Sequence, residues 1–591
     1  MQFENLAGIH SPADIRRMTP ARLNVIAAEM RAALIHKLSA TGGHVGPNLG
    51  MVEATIALHY VFDTPTDKLV FDVSHQSYPH KMLTGRMQAF IDPDHYRDVN
   101  GYTNPREDAD YDLFSVGHTS TAISLATGLA KARDLAGGQE NVVAVVGDGS
   151  LGGGMALEGL DYGGTLGTKF VVVVNDNDMS IAENHGALYN DLRLLRHSNG
   201  TAEPNVFRAF GYDYIYVHYG NDIARLIAAF KAAKASSTPV VVHINTMKGM
   251  GLPAAESDKE AFHYSAPFDA ATGTVLRRSA AGEAPADYGT LIYEHLLHVL
   301  KHDSRLAVLT AGTPGALGFT PKRRSQFGSH FIDVGICEQQ AAGMAAGMAK
   351  AGARPVFGVV ATFLQRAYDQ LSHDIALNGL PVVIPVTNTG LYSMNDETHL
   401  GFFDIAMISS IPGLLYLAPT CREEVMAMLD WAIKQTALPV AIRIPGGHVV
   451  SDSSCELLSD YSAPAYTPID ADSEVAIVGA GTFYGRAVEA VAILAANGVK
   501  AVAVNPRSFT YIDPAAVDAL KGKRLVVTVE DGVVDGGYGQ RLAMELADSP
   551  ARVVCLGLPK KFENRFDAAK LGKELGLEAQ QIATRVLAKL K

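Results

Sequence analysis

The stretch GDGSLGGGMALEGLDYGGTLGTKFVVVVNDN, residues 147–177, decides how the chain is read. It begins where the apolar run NVVAVVG (141–147) ends, and it contains a second such run, KFVVVVN (169–175). Continuous Val runs of this length suit strands buried on both faces of a parallel sheet. Asp148 then falls at the carboxyl end of one strand and Asn175 and Asn177 at the carboxyl end of another. That edge is where open α/β sheets bind ligands. Gly147 and Gly149 allow close approach of backbone to a ligand, and the glycine-rich turn 152–154 opens a helix whose N-terminal amides can hold a diphosphate. Asp148 and Asn177, 29 positions apart, can meet at one hard cation, since Mg²⁺ takes one or two protein oxygens together with substrate phosphates. A GDG triplet alone reads as strand punctuation; the two strand ends around a glycine-rich helix start give it weight.

The same alternation runs outward in both directions. LVFDV (69–73) and PVVVHIN (239–245) read as further strands of the first unit. Before them, Thr19 and Pro20 read as the cap and first turn of a helix through ARLNVIAAEMRAALIHKL. The small, polar stretch 272–290 reads as a linker. The rhythm restarts with LAVLTAG (306–312), a helix at about 337–350, RPVFGVV (354–360), a helix at about 363–379, PVVIPVT (381–387) and VAIRIP (440–445). A second linker over 453–470 precedes EVAIVGAG (474–481), VKAVAVNP (499–506), RLVVTVED (524–531) and a last helix at about 576–590. The fold class is α/β, in three parts: residues 1–275, 285–452 and 465–591.

A chain of 591 residues exceeds one hydrophobic core. With 48% hydrophobic and 19% charged residues it has globular composition. A formal net charge of −12 argues against nonspecific nucleic-acid binding, which needs basic patches. The four cysteines, Cys337, Cys421, Cys455 and Cys555, show neither CxxC spacing nor a Cys/His metal pattern and read as reduced thiols. No run approaches the ~18 apolar residues of a membrane span, and the first residues lack the pattern of a signal peptide. A reducing cytoplasm is the expected setting.

Further segments carry a resemblance. TGGHVGPNLGMVEATIALHYVFDTPTDKLVFDVSHQSYPHKMLTGR (41–86), FSVGHTSTAIS (114–124), NDMSIAENHGAL (177–188), HINTMKGMG (243–251), AFHYSAPFD (261–269), DVGICEQQAAGMAAGMA (333–349) and ATFLQRAYDQLSHDIAL (361–377) stand in the order they have in 1-deoxy-D-xylulose-5-phosphate synthases. The chain resembles that transketolase-like, thiamine-diphosphate-dependent family over nearly its whole length. The resemblance implies two cofactor-binding parallel-sheet domains, a C-terminal α/β domain, and a homodimer. It implies thiamine diphosphate and Mg²⁺ as cofactors, with Asp148, Asn177 and the Met179 carbonyl as metal ligands. Gly147, Gly149, Ser150, Ser115, Gly117, His118, His75 and Lys248 would bind the cofactor's diphosphate side. Glu338 matches the glutamate that hydrogen-bonds the aminopyrimidine; such a group needs an apolar site to raise its pKa. Phe363 matches the aromatic that stacks on the pyrimidine, and Arg366 lies in the same segment. His44 and His263 would face the reacting carbon, and His399 the acceptor's hydroxyls. The implied reaction joins pyruvate, with loss of CO₂, to an aldose phosphate, glyceraldehyde 3-phosphate.

The acceptor segment departs from the family. Asn388 stands where the family has the Arg of its D-R-x-G pattern, and Asn395 where it has the Asp of G-A-D-G. A neutral Asn cannot replace a charged, bidentate phosphate clamp; Arg366 and Arg443 remain to hold a phosphate. The segment after NHGAL (184–188) is also shorter than in the family. Three readings stay open: the synthase itself, a paralogue with another ketose donor or aldehyde acceptor, and a cofactor-binding scaffold without catalysis.

Overall fold

The β-branched runs form the expected strands, and helices cross over between them. The structure, a computed structural model, describes residues 3–276 and 287–591. Its first sheet is parallel, with strand order Lys68–Phe71, Val142–Gly147, Phe170–Asp176, Pro239–Asn245, Asp213–Val217. Every residue of Phe170–Asp176 is buried, as expected for a strand covered on both faces. The second sheet is parallel with order Leu415–Leu417, Val440–Pro445, Val383–Thr389, Arg354–Val360, Leu306–Thr310, Phe331–Asp333. The third is parallel with order Ala501–Val504, Val475–Gly479, Leu525–Val533, Arg552–Leu558.

The N-terminal helix starts as its cap predicts: the Thr19 hydroxyl accepts from the Arg22 N–H, and Pro20 opens Pro20–Thr41. Elsewhere the structure corrects the reading. The linker over 272–290 ends early, because the Asp287 carboxylate accepts from the Thr290 N–H and caps helix Tyr288–Leu300; its residues 277–286 lie outside the described residues. The helix expected over 363–379 begins at Ala361 and changes pitch, from Ala361–Leu364 through a 3₁₀ turn at Gln365–Ala367 to a π turn at Gln370–Ala376. Phe331–Asp333 and Leu415–Leu417 are strands of three residues, too short to show a period.

By contact, the chain divides into two compact units. One holds the described residues up to 276 together with Gly335–Cys337, and the other holds 287–334 and 338–591. The second and third sheets share a unit because one apolar core serves both. Ile405, Tyr416 and Ala418 pack in it with Val478, Phe509 and Tyr538.

An ion-pair cluster sits in the same unit. Arg443, on the second sheet, donates from Nε to Asp404 Oδ2 at 2.7 Å and from Nη1 to Asp531 on the third. The Tyr416 hydroxyl also donates to Asp404. Arg443 is 3% exposed, so removing it leaves two carboxylates buried without a counterion. Arg443→Met is therefore expected to lower unfolding free energy by about 3–5 kcal/mol, read from urea denaturation; a change below about 1 kcal/mol would contradict this account.

Candidate functional site

In the first unit the carboxyl edge of the sheet gathers the predicted residues. The pairing of Gly147 with Asn175 puts Asp148 beside the loop 177–184. Asp148 is 2% exposed, and its Oδ2 accepts from the Met179 N–H at 3.1 Å and from Asn184 Nδ2 at 2.8 Å. Around it, Asn177 Oδ1, Asn184 Oδ1 and Ser180 Oγ are buried with no hydrogen-bond partner. Burial, with Asp176 adding to it, pushes the Asp148 carboxyl up to about 8. Unbonded buried oxygens and a carboxylate that resists ionisation are what a hard cation would relieve.

The glycines here act for two reasons. A Cβ at Gly147 would meet nothing within 4 Å, which leaves room for a ligand. At Gly149 the reason differs from the sequence reading: a Cβ would lie 2.6 Å from Ser180 Oγ, so the glycine admits a neighbouring loop. Ser150 is buried, and its carbonyl accepts from the Ser120 hydroxyl at 2.8 Å. The loop carrying Ser115, Gly117 and His118 is tied down by Asp72, whose carboxylate accepts from the N–H groups of Ser120, Thr121 and Ala122. The Ser74 hydroxyl donates to the Val116 carbonyl beside it.

His44, His75 and His263 form one cluster, with ring centroids 5.0 Å apart for His44–His75, 5.7 Å for His44–His263 and 5.1 Å for His75–His263. An antiparallel bridge between Gly43 and Ser265 brings the first and last together. Asn48, fully buried, fixes the first two: its Nδ2 donates to the carbonyls of His44 and His75, each at 2.7 Å, and its Oδ1 accepts from the Tyr78 N–H at 2.9 Å. Tyr102 and Tyr264 flank His44 at 5.6 and 5.1 Å. Lys248 Nζ donates to the Ser180 carbonyl and lies 3.2 Å from His263 Nδ1. Burial lowers Lys248 to about 8 and holds His263 well below its ordinary value. When the ammonium donates to Nδ1, the His263 proton sits on Nε2, a donor for a substrate oxygen.

In the second unit Glu338 opens helix Glu338–Lys350 and is 3% exposed. Burial raises its pKa, opposed by Arg366, whose Nη1 is 3.8 Å from Glu338 Oε2. Phe363 meets His399 edge-on, with centroids 5.6 Å apart. His399 Nδ1 is 2.7 Å from the Thr398 hydroxyl, and burial lowers it to about 4. Asn388 holds a left-handed backbone, φ 53°, where its carbonyl crowds Gly401. Asn395 faces the C-terminal part of the chain, with Nδ2 donating to the Phe566 carbonyl at 3.0 Å and its own carbonyl accepting from the Arg565 N–H. Arg443, offered by the sequence as a phosphate partner, is instead committed to Asp404 and Asp531.

A family model for 1-deoxy-D-xylulose-5-phosphate synthase matches residues 6–204. Models for the transketolase thiamine-diphosphate-binding, pyrimidine-binding and C-terminal domains match 116–293, 284–449 and 466–582. The chain is similar to the 1-deoxy-D-xylulose-5-phosphate synthase of Symbiobacterium thermophilum, at 37% identity over 100% of this chain and 95% of the relative. It is also 37% identical to that of Desulforudis audaxviator, over 98% of this chain and 96% of the relative. This chain belongs to the 1-deoxy-D-xylulose-5-phosphate synthase family. Among solved structures, Campylobacter jejuni transketolase aligns with TM-score 0.45 and 16% identity over 100% of both chains.

The three histidines named from the sequence lie together, and Asp148 and Asn177 lie at one sheet edge, but the sequence did not single out what holds them. Asn48 and Asp72 lie in quoted segments, and neither has a local pattern that marks a buried amide or carboxylate as a clamp. Asn184 carried a weak signal, an Asx residue just after NDMS. Asn48→Ala leaves the His44 and His75 carbonyls without their amide donor. It is expected to lower stability by about 2–4 kcal/mol and, below its melting temperature, to lower kcat more than Asp222→Ala, a change at an exposed helix cap. Equal kcat in the two variants would remove Asn48 from the site's support.

His59, His80, His263 and His399 are all buried with pKa values below 6.5. Each is neutral when folded, while its unfolded counterpart gains a proton near 6.5. Stability is therefore expected to fall as pH drops below about 6.5, and for His399 the loss continues down to about 4. His399→Asn should reduce the acid-induced loss by on the order of 1 kcal/mol near pH 5.5, measured as the difference in urea midpoints between neutral and acid buffer. An unchanged difference would show that His399 is not held neutral.

Proposed function

We propose that this chain condenses pyruvate, with loss of CO₂, with glyceraldehyde 3-phosphate to give 1-deoxy-D-xylulose 5-phosphate. Full-length relatives bear the name of that activity. The observation that carries the reading here is the buried nest of unbonded oxygens around Asp148. It fits Mg²⁺ with a diphosphate, and Asp148, Asn177 and the Met179 carbonyl would hold the metal. Thiamine diphosphate, when bound, supplies a carbon nucleophile and an electron sink for the decarboxylation.

The chain's own residues then bind, orient and move protons. Gly147, Gly149, Ser150, Ser115, Gly117, His118, His75 and Lys248 surround the diphosphate side. Glu338, protonated more readily because it is buried, donates a hydrogen bond to the aminopyrimidine, and Phe363 gives that ring a stacking face. His44 and His263 donate to the carboxylate of pyruvate and to the oxygen that gains charge as the carbon–carbon bond forms. His399, neutral through burial, takes the acceptor's hydroxyls. Arg366, on the turn just after Phe363, holds the acceptor's phosphate. Residues 1–275, 285–452 and 465–591 act as the diphosphate, pyrimidine and C-terminal domains, in a cytoplasmic homodimer. Among the described residues no helix is long and apolar enough to cross a membrane.

A second reading, with an acceptor that lacks this phosphate, is favoured by Asn388 and by the engagement of Arg443 with two carboxylates. CO₂ release from pyruvate, with thiamine diphosphate and Mg²⁺, separates the two. Stimulation by glyceraldehyde 3-phosphate well above that by glyceraldehyde supports the first reading, and equal stimulation by both supports the second. Glu338→Gln is expected to lower kcat by about 10²–10⁴ while the protein still binds the cofactor in calorimetry. Full activity in that variant would overturn both readings.

A further inference from the structure

Outside this site, three metal-ligating side chains converge in the second unit. Cys421, Glu424 and Cys455 place a sulfur, a carboxylate oxygen and a sulfur within 4.8 Å of one another. Cys421 is the N-cap of helix Arg422–Lys434 and is 1% exposed. Glu424 is fully buried in the first turn of that helix. Cys455 is half-buried on the irregular stretch between Pro445 and Val475. We propose that Cys421, Cys455 and Glu424 form a binding site for a thiophilic divalent cation, Zn²⁺ by ligand type.

The donor set suits a tetrahedral ion. Zinc–sulfur bonds of about 2.3 Å and zinc–oxygen bonds of about 2.0–2.2 Å require donors separated by about 3.5–4 Å. The observed spread is close to that, and Cys455, on irregular chain, is the donor able to move inward. Water fills the fourth position from the half-exposed side of Cys455. The carboxylate is already aimed: Glu424 Oε2 accepts from the Thr420 N–H and hydroxyl, each at 2.8 Å, and Oε1 accepts from Asn505 Nδ2 at 3.1 Å. Partners of this kind orient metal ligands. The Cys421 sulfur accepts from the backbone N–H of Glu424, which favours the thiolate.

Most of the charge is offset. Arg507, buried, has its Nε 3.5 Å from Glu424 Oε1, with no hydrogen-bond partner for that Nε. Two thiolates, one carboxylate, one divalent cation and this guanidinium sum to zero, and the largely exposed Glu456, 3.1 Å from Arg507 Nη2, adds one negative charge at the rim. Binding forms two metal–sulfur bonds and one metal–oxygen bond and releases the two thiol protons to solvent. Without the cation, burial pushes both thiols up and keeps them protonated. The ion would staple the start of helix Arg422–Lys434 to the stretch that leads to the third sheet.

The test uses the full chain, purified under reducing conditions, stripped with a chelator and titrated with Co²⁺ in the presence of excess Mg²⁺. Expected are one equivalent of Co²⁺ per chain, a thiolate-to-cobalt charge-transfer band, and displacement of that band by Zn²⁺. Cys455→Ser, at a half-buried position, should abolish the band; Asp148→Ala should retain it. Zn²⁺ should raise Tm in the parent protein but not in Cys455→Ser. The proposal is overturned by absence of the band in the parent, by its persistence in Cys455→Ser, or by its loss in folded Asp148→Ala. A mass lower by two hydrogens with no metal uptake would also overturn it, and would identify the pair as a disulfide instead.

Discussion

The parallel register that sets Gly147 beside Asn175 constrains the Asp148 end of the candidate site. It brings two loops out at the same edge of the sheet, so Asp148 receives the Met179 N–H and the Asn184 amide. A slip of one residue would move every buried side chain of a strand to the opposite covered face and carry Asp148 away from the 177–184 loop. The hydrophobic content of Val142–Gly147 and Phe170–Asp176 thus fixes a polar arrangement that lies beyond both strands. The same edge carries Asp72, which holds the 114–121 loop, and Lys248, which holds His263.

Several buried polar groups in this protein work as clamps, satisfying backbone or charge at a junction of loops. Asn48 joins the His44 and His75 segments with a single amide. Arg443 lies between Asp404 and Asp531, so a cation that could have met a substrate phosphate is spent on joining two sheets. Burial also keeps His263 in the first unit and His399 in the second uncharged. Such groups stabilise a forming oxyanion without first competing for protons at neutral pH.

The strands were legible because runs of β-branched residues have few other stable fates. The diphosphate-side motif was legible because glycine, aspartate and asparagine occur at fixed spacing within one βαβ unit. Glu338 and the histidines became legible through family segments, since 20 histidines in one chain give no local means of choosing among them. The three-residue strands, the change of helix pitch after Ala361 and the early end of the 272–290 linker carried no comparable signal.

By itself, then, the sequence determined the α/β class, the parallel sheets and the placing of Asp148, Asn175 and Asn177 at strand ends, because those follow from local pattern and hydrophobic period. Tertiary structure alone decided that three distant histidines share one point, that Asn184 joins Asp148, that Arg443 is occupied, and that Cys421 meets Cys455. Those contacts join residues tens to hundreds of positions apart. They depend on how loops close over a packed sheet, which no local spacing records.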